Sequence, residues 1–319
     1  MQKLKILAND GLAESAQSSL KEAGFEVLDI KVAQEQLLFF LNREKVDVLI
    51  VRSATQVNKE ILEGAESLRL VIRAGVGLDN IDRVAAKEND ILVQNTPGAS
   101  ANAVAELVMA HLLTGYRMLH QSNRDMPLEG DQHFKALKKR FAKGRELSGR
   151  TMGIIGFGRI GQCLAQKAFG MGMRVIYFDR SSETKKMELE FADGQKISFE
   201  VEYRPLNELL AESDCVSLHT PKQADYLIGR KELDQMKQGA VLINAARGGL
   251  IDELALAEKL EAGNISFAAL DVFEQEPQPS IALLMQPNMS LSPHIGGSTI
   301  ESQNRIGEKI VAQIKAFAE

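Results

Sequence analysis

Short apolar runs alternate with amphipathic stretches along nearly the whole chain, with polar or glycine-rich turns between them. In the first third, strand-like runs fall at Lys3–Leu7, Phe25–Leu28, Val46–Val51, Leu70–Arg73 and Ile91–Gln94. Helical periodicity fills the gaps at Ala13–Ala23, Glu35–Asn42, Lys59–Ala65 and Asp82–Glu88. Strands separated by helices predict βαβ units and a parallel sheet, because each helical crossover returns the chain to the same end of the sheet. Ligands of such sheets gather at the carboxyl ends of the strands. Three turns at those ends, Arg52-Ser53, Ala74–Gly77 and Asn95–Gly98, are polar or glycine-rich and are candidates for holding a substrate.

Ser100 is placed to cap a long apolar-striped helix over Ala103–Leu119, which could bridge two domains. The polar stretch Gln121–Arg150 carries the basic run Lys135, Lys138, Lys139, Arg140, Lys143 and Arg145. Such a run reads first as a solvated helix face and loop, and second as a patch that recruits an anion. Alternation resumes with a strand at Met152–Ile155, a helix, and a strand at Val175–Phe178. Ser181–Arg204 interrupts it: two alternating runs flank Asp193-Gly194, the signature of a β-hairpin. Helices at Leu206–Glu212, Gly229–Met236 and Glu253–Glu261 then alternate with strands at Cys215–His219, Ala240–Ala245 and Phe267–Asp271. A short strand in M-S-L-S-P-H and an amphipathic helix over Ile295–Ala318 close the pattern.

The stretch Thr151–Asp179 changes this picture from a fold to a chemistry. A strand leads into Gly156-Phe-Gly158-Arg-Ile-Gly161, a helix follows, and the next strand ends on Asp179. Alone, three spaced glycines often mark no more than a turn. In this setting they form a dinucleotide fingerprint, in which Gly156 permits the tight turn, Gly158 lets backbone approach a pyrophosphate and Gly161 lets helix and strand close up. The helix N-terminus offers free N–H groups to the phosphates, and Asp179 stands where a carboxylate accepts from an adenosine ribose.

Composition excludes more than it selects. The 319 residues suffice for two domains, and 45% hydrophobic with 25% charged residues is ordinary for a globular enzyme. A net charge of −5 and the absence of Trp leave no footprint for nucleic acid, and no stretch is apolar enough to span a membrane as a helix. The start of the chain has no secretory pattern, so the expected compartment is the cytoplasm. Cys163 and Cys215 belong to no C-x-x-C and read as small core residues, with no metal set implied.

Three residues of the second half lie at or just beyond strand ends: Arg247 in N-A-A-R-G-G, Glu276 in D-V-F-E-Q-E-P and His294 in S-P-H-I-G-G. Singly, each has a dull explanation as a surface cation, a loop carboxylate or a satisfied imidazole. Together, in a unit with a dinucleotide motif, they suit hydride transfer to a 2-oxo acid. A planar guanidinium orients the carboxylate and polarises the carbonyl, an imidazole supplies the proton, and a carboxylate holds that imidazole in one tautomer.

With these residues in view, the chain resembles the D-isomer-specific 2-hydroxyacid dehydrogenases, and within them the D-3-phosphoglycerate dehydrogenase branch. The matching segments are V-R-S-A-T (51–55), R-A-G-V-G-L-D-N-I-D (73–82), N-T-P (95–97), G-F-G-R-I-G (156–161), H-T-P (219–221), N-A-A-R-G-G (244–249), A-L-D-V-F-E-Q-E-P (269–277) and P-H-I-G-G-S-T (293–299). The resemblance implies an α/β fold of two domains with parallel sheets, a flavodoxin-like substrate domain (1–98 and 295–319) and a Rossmann-like NAD-binding domain (99–294). It implies Arg247, Glu276 and His294 as catalytic residues. Gly156, Gly158, Arg159, Ile160, Gly161, Asp179, His219, Thr220, Ala245, Asp271 and Gly297, with Arg247 and His294, would meet NAD. Arg52, Ser53, Gly75, Val76 and Asn95 would face a small 2-hydroxy acid. A homodimer formed through the cofactor domain is implied as well.

The branch implies oxidation of 3-phospho-D-glycerate at the entry to serine synthesis; beside that, the basic run, from this subunit or from a partner subunit, and Arg52 are the candidate contacts for the phosphate. Reduction of hydroxypyruvate or glyoxylate, the activity of another D-2-hydroxyacid dehydrogenase, and NAD(H) sensing without catalysis remain alternatives. Two departures stand out. Ser181–Arg204 is longer than the usual connection, with Arg180, Lys185 and Lys186 beside the ribose acid. The sequence also ends at Glu319 without the serine-binding segment that many such enzymes carry, so serine feedback through one is not expected.

Overall fold

The computed structural model describes residues 3–319. The chain divides into two compact units, one of residues up to Ser100 together with Gly297–Glu319, the other Ala101–Gly296.

In the first unit, strands β1 (Lys5–Ala8), β2 (Glu26–Leu28), β3 (Val48–Val51), β4 (Leu70–Arg73) and β5 (Leu92–Asn95) form an all-parallel sheet in the order β2-β1-β3-β4-β5. Val48–Val51 is buried along its whole length. Both faces of the sheet are covered, which is why its central strands read as continuous rather than alternating apolar runs. Helices α1 (Glu14–Glu22), α2 (Leu37–Glu44), α3 (Lys59–Gly64) and α4 (Arg83–Glu88) make the crossovers. Asp82 caps the start of α4 by accepting from the N–H groups of Val84 and Ala85, and so precedes the expected helix as its N-cap rather than lying within it.

The second unit opens with α5 (Ala101–Tyr116) and α6 (Leu119–Arg140). Their junction lies at Met118, in the left-handed region at φ 52°. The helix expected to run to Leu119 therefore stops at Tyr116, and the polar stretch after it is helical as far as Arg140. The sheet follows: β6 (Thr151–Ile155), α7 (Arg159–Gly170), β7 (Arg174–Phe178), β8 (Lys185–Glu190), β9 (Lys196–Tyr203), α8 (Leu206–Glu212), β10 (Cys215–Leu218), α9 (Arg230–Gln235), β11 (Ala240–Asn244), α10 (Glu253–Glu261), β12 (Ile265–Leu270), α11 (Ile281–Leu284) and β13 (Met289–Leu291). Its order is β13-β12-β11-β10-β6-β7-β9-β8, so the direction of winding reverses between β6 and β10. All neighbours are parallel except β8 and β9, the expected hairpin, whose turn holds Gly194 at φ 83°. The second hairpin strand pairs with β7 and becomes an inner strand of the sheet, while the first lies at the edge. Phe199 of the hairpin stacks on Phe169 of α7 at 4.3 Å between ring centroids.

The last helix, α12 (Ile300–Ala318), belongs to the first unit, where it packs on α1 so closely that a Cβ on Gly307 would sit 2.7 Å from that of Ala16. It starts at Ile300 rather than the expected Ile295, because the hydroxyl of Thr299 accepts from Ser302 N and sets the cap there. Cys215 is fully buried as expected, whereas Cys163 on α7 is only half-buried. No helix among the described residues is long and apolar enough to cross a membrane.

Candidate active site

The glycine turn follows β6 at the point where the second sheet reverses direction, the place where ligands of open α/β sheets bind. Gly156 has φ 94°, and a Cβ there would lie 2.6 Å from the carbonyl oxygen of His219, in the segment after β10. A Cβ on Gly161 would meet the carbonyl oxygen of Gly156 at 2.4 Å. Both glycines are thus demanded by the protein itself. Gly158 is not: a Cβ there would meet nothing within 4 Å, so the open space above it is a cradle the protein leaves unfilled. Arg159 and Ile160 form the first turn of α7, directly beyond it.

Asp179 follows β7. Its carboxylate accepts from Phe157 N at 2.7 Å and from Arg180 N at 2.6 Å, which ties the acid to the glycine turn. Two enclosed polar atoms beside that turn, Nδ1 of His219 and Oγ1 of Thr220, have no partner within the protein. Burial pushes the His219 imidazole down to about 3, so it is neutral, and its Nε2 meets Ser217 Oγ at 3.0 Å. An open cradle at a helix N-terminus, an acid at the next strand end and unpartnered polar atoms are what a bound dinucleotide would need.

Arg247 stands in the turn after β11. Asn244 shapes that turn, donating to the carbonyl of Arg247 at 2.8 Å and accepting from Ala246 N at 3.0 Å. Gly248 presses against the backbone of Phe273: a Cβ would approach its carbonyl oxygen to 1.7 Å, so no other residue fits. Ala245 lies buried in the same turn.

Glu276 and His294 are brought together. Glu276 Oε2 lies 2.8 Å from His294 Nδ1, while Oε1 accepts from Phe273 N at 3.0 Å. Because a carboxylate only accepts, Nδ1 carries the proton in this pair, and Nε2 is the nitrogen left for chemistry. His294 itself is left-handed at φ 54°, a conformation that a non-glycine residue keeps only where its surroundings hold it. Asp271, 1% exposed at the end of β12, does the holding. Its backbone carbonyl accepts from His294 N at 2.8 Å, and its carboxylate accepts from Ile295 N and Gly296 N, each at 2.8 Å.

The residues expected to face the acid lie in the first unit. Arg52 and Ser53 follow β3, where that sheet in turn reverses direction. They line a cleft of about 470 Å³ with Asn9, Asp10 and Lys31. Asp10 shapes their loop, accepting from Arg52 N at 2.7 Å and Thr55 N at 3.1 Å, and Asn80 donates to the carbonyls of Arg52 and Thr55. Lys31 also pairs with Asp10. These contacts hold the Asp10 carboxyl below its usual range despite burial that opposes it. Gly75 follows β4 at φ 155°, and Asn95 Nδ2 donates to the carbonyl of Val76 at 2.6 Å, bracing that turn. Gly297 lies in the first unit also, with its absent Cβ placed 3.3 Å from that of Ser100. In the basic run, Arg140 pairs with Asp125 at 2.8 Å, while Lys135, Lys138, Lys139 and Lys143 are exposed. Asp10, Asn80 and Asn244 were not legible as site residues, since each acts on partners distant in sequence or through backbone.

The D-isomer specific 2-hydroxyacid dehydrogenase NAD binding domain matches this chain over residues 109–296. The chain belongs to that family: it is an oxidoreductase that uses NAD(H). It is 39% identical to a hydroxypyruvate reductase of Thermotoga maritima, with 98% of each chain covered. It is 41% identical to a D-3-phosphoglycerate dehydrogenase of Methanocaldococcus jannaschii, over 98% of this chain but 57% of that one. Among solved structures, a D-lactate dehydrogenase from Aquifex aeolicus complexed with NAD and lactic acid superposes with a TM-score of 0.76 at 28% identity, covering 98% of this chain and 95% of the other.

Proposed function

We propose that this dehydrogenase oxidises 3-phospho-D-glycerate to 3-phosphooxypyruvate, the first step of serine biosynthesis. The observation that carries the hydride-transfer chemistry is the Glu276–His294 pair at 2.8 Å, with Nε2 of the imidazole left over. Bound NAD supplies the hydride acceptor. In the oxidative direction His294 takes the hydroxyl proton at Nε2, Glu276 holds the ring in that tautomer, and Arg247 binds the carboxylate and polarises the oxygen. Arg52 and Ser53, with backbone N–H groups at Gly75 and Val76 and the side chain of Asn95, bind the acid. Arg52 and the exposed lysines at 138 and 139, from this subunit or from a partner subunit, serve the phosphate. The phosphoglycerate dehydrogenase relative supports this substrate, and the same reading takes the protein as a cytoplasmic homodimer.

A second reading is reduction of hydroxypyruvate or glyoxylate, its hydroxypyruvate form favoured by the Thermotoga relative, which matches over 98% of its own length. NAD reduction with D- and L-3-phosphoglycerate and with D-glycerate separates the two. The proposal expects turnover of the D-phosphorylated acid, little of its L-isomer and a much poorer kcat/KM for D-glycerate. Equal or better use of D-glycerate would overturn the phosphorylated substrate in favour of the second reading.

A further inference from the structure

One buried imidazole has no part in the chemistry above. His111 lies on α5, 6% exposed, on a face whose other core residues are Val104, Val108 and Leu112. Burial lowers its pKa, so it sits there as the neutral ring. A neutral imidazole has one donor and one acceptor, and in a low-dielectric setting both must be satisfied. Both are: Nδ1 meets Ser290 Oγ at 2.8 Å and Nε2 meets Ser292 Oγ at 3.0 Å.

The direction of these bonds follows from their far end. Ser292 Oγ lies 2.6 Å from Oδ1 of Asp271, and a carboxylate oxygen only accepts, so the Ser292 hydroxyl spends its proton there. Ser292 Oγ must then accept from His111, which fixes the proton on Nε2. His111 Nδ1 is left as an acceptor, and Ser290 donates to it. The result is a one-way relay from Ser290 through His111 and Ser292 to Asp271. The Asp271 carboxylate in turn holds the N–H groups of Ile295 and Gly296, immediately beyond the left-handed His294.

We infer that His111 is a positioning residue: through Ser292 it fixes the Asp271 carboxylate, and with it the loop that carries His294. A buried histidine that merely fills the core would not bear on turnover. The kinetic side of this inference rests on the hydride-transfer reading proposed above, whereas the tautomer does not.

The test has two arms. With selectively ¹⁵N-labelled histidine at pH 8, the neutral His111 ring is expected as the Nε2–H tautomer. A Nδ1–H tautomer, or a charged ring, would overturn the relay. In the second arm, His111→Leu leaves Ser292 without its donor and is expected to lower kcat about tenfold, with the KM for the acid moving less than threefold. His111→Gln, which keeps a donor and an acceptor in one planar group, is expected to recover kcat to within about threefold of the parent. Should the leucine variant fail to fold, Ser292→Ala cuts the same link and is expected to show the same loss. An unchanged kcat in the folded Leu or Ala variant, or no recovery with Gln, contradicts the inference. If the parent chain turns over no 2-oxo acid, the catalytic reading fails, and the tautomer alone decides the relay.

Discussion

Oε2 of Glu276 and Nδ1 of His294 stand 2.8 Å apart, so the carboxylate consumes one ring nitrogen and leaves proton transfer to the other. Replacing His294 by Asn removes that transfer and is expected to lower kcat by at least ~100-fold, in the range typical of a positioned acid–base group. NADH affinity, read by fluorescence titration, should stay within about threefold. Glu276→Ala leaves the imidazole but frees its tautomer, and its kcat should fall less than that of His294→Asn. A His294→Asn variant with the parent's rate would remove the imidazole from the chemistry.

Gly158 and Gly161 separate cofactor binding from folding. A Cβ on Gly161 lies 2.4 Å from a backbone oxygen that cannot move aside, so Gly161→Ala should lower Tm by several degrees. A Cβ on Gly158 meets only open space, and its φ of −77° suits alanine. Gly158→Ala should leave Tm of the cofactor-free protein almost unchanged while weakening NADH binding about tenfold or more. Undiminished NADH binding would place the pyrophosphate elsewhere.

Acid should destabilise the protein in a definite window. Burial holds His219 near a pKa of about 3, against about 6.5 in an unfolded chain. Between those values the unfolded state binds the extra proton, so stability rises with pH through the window and levels off above it. His111, lowered by burial as well, contributes in the same direction. Melting curves from pH 7.5 to 5 should show Tm falling with acid in the parent and falling less in His219→Gln. Superimposable curves for the two would mean that His219 is not buried as the neutral ring.

The phosphate contacts are open to a split of substrates. Arg52→Ala, and separately Lys138→Ala with Lys139→Ala, should raise the KM for the phosphorylated acid about tenfold or more, as expected for lost charge-assisted contacts. The KM for hydroxypyruvate should change far less. Equal effects on both acids would assign these cations to the carboxylate or to structure.

Much of the fold was legible because the sheets are covered on both faces: Val48–Val51 and 240–243 are buried at every position and read as unbroken apolar runs. The hairpin was legible for the opposite reason, since its strands lie at or near a solvated edge and alternate. Helix α6 was legible only as a solvated helix face without bounds, because it is a polar helix with Pro127 inside it, and its start at a left-handed Met118 carries no glycine to announce the break. The start of α12 was misplaced by five residues because the segment from Ile295 serves Asp271 as a hydrogen-bonding loop rather than as a first helical turn. Arg247, Glu276 and His294 stood out as charged or titratable groups at strand ends. What joins them to the fold did not: Ser292 and His111 are partners 181 residues apart along the chain, and no local pattern reports such a pair.

The substrate reading is tested most directly by initial rates of NADH oxidation with 3-phosphooxypyruvate, hydroxypyruvate, glyoxylate and 2-oxoglutarate, compared by kcat/KM. A value for 3-phosphooxypyruvate at least about tenfold above the other three is the expected result, corresponding to a little over 1 kcal/mol of preferential transition-state binding. A higher value for hydroxypyruvate or glyoxylate would contradict it and make the protein a reductase of the unphosphorylated acids. Tight NADH binding with no turnover of any acid would contradict the catalytic account as a whole.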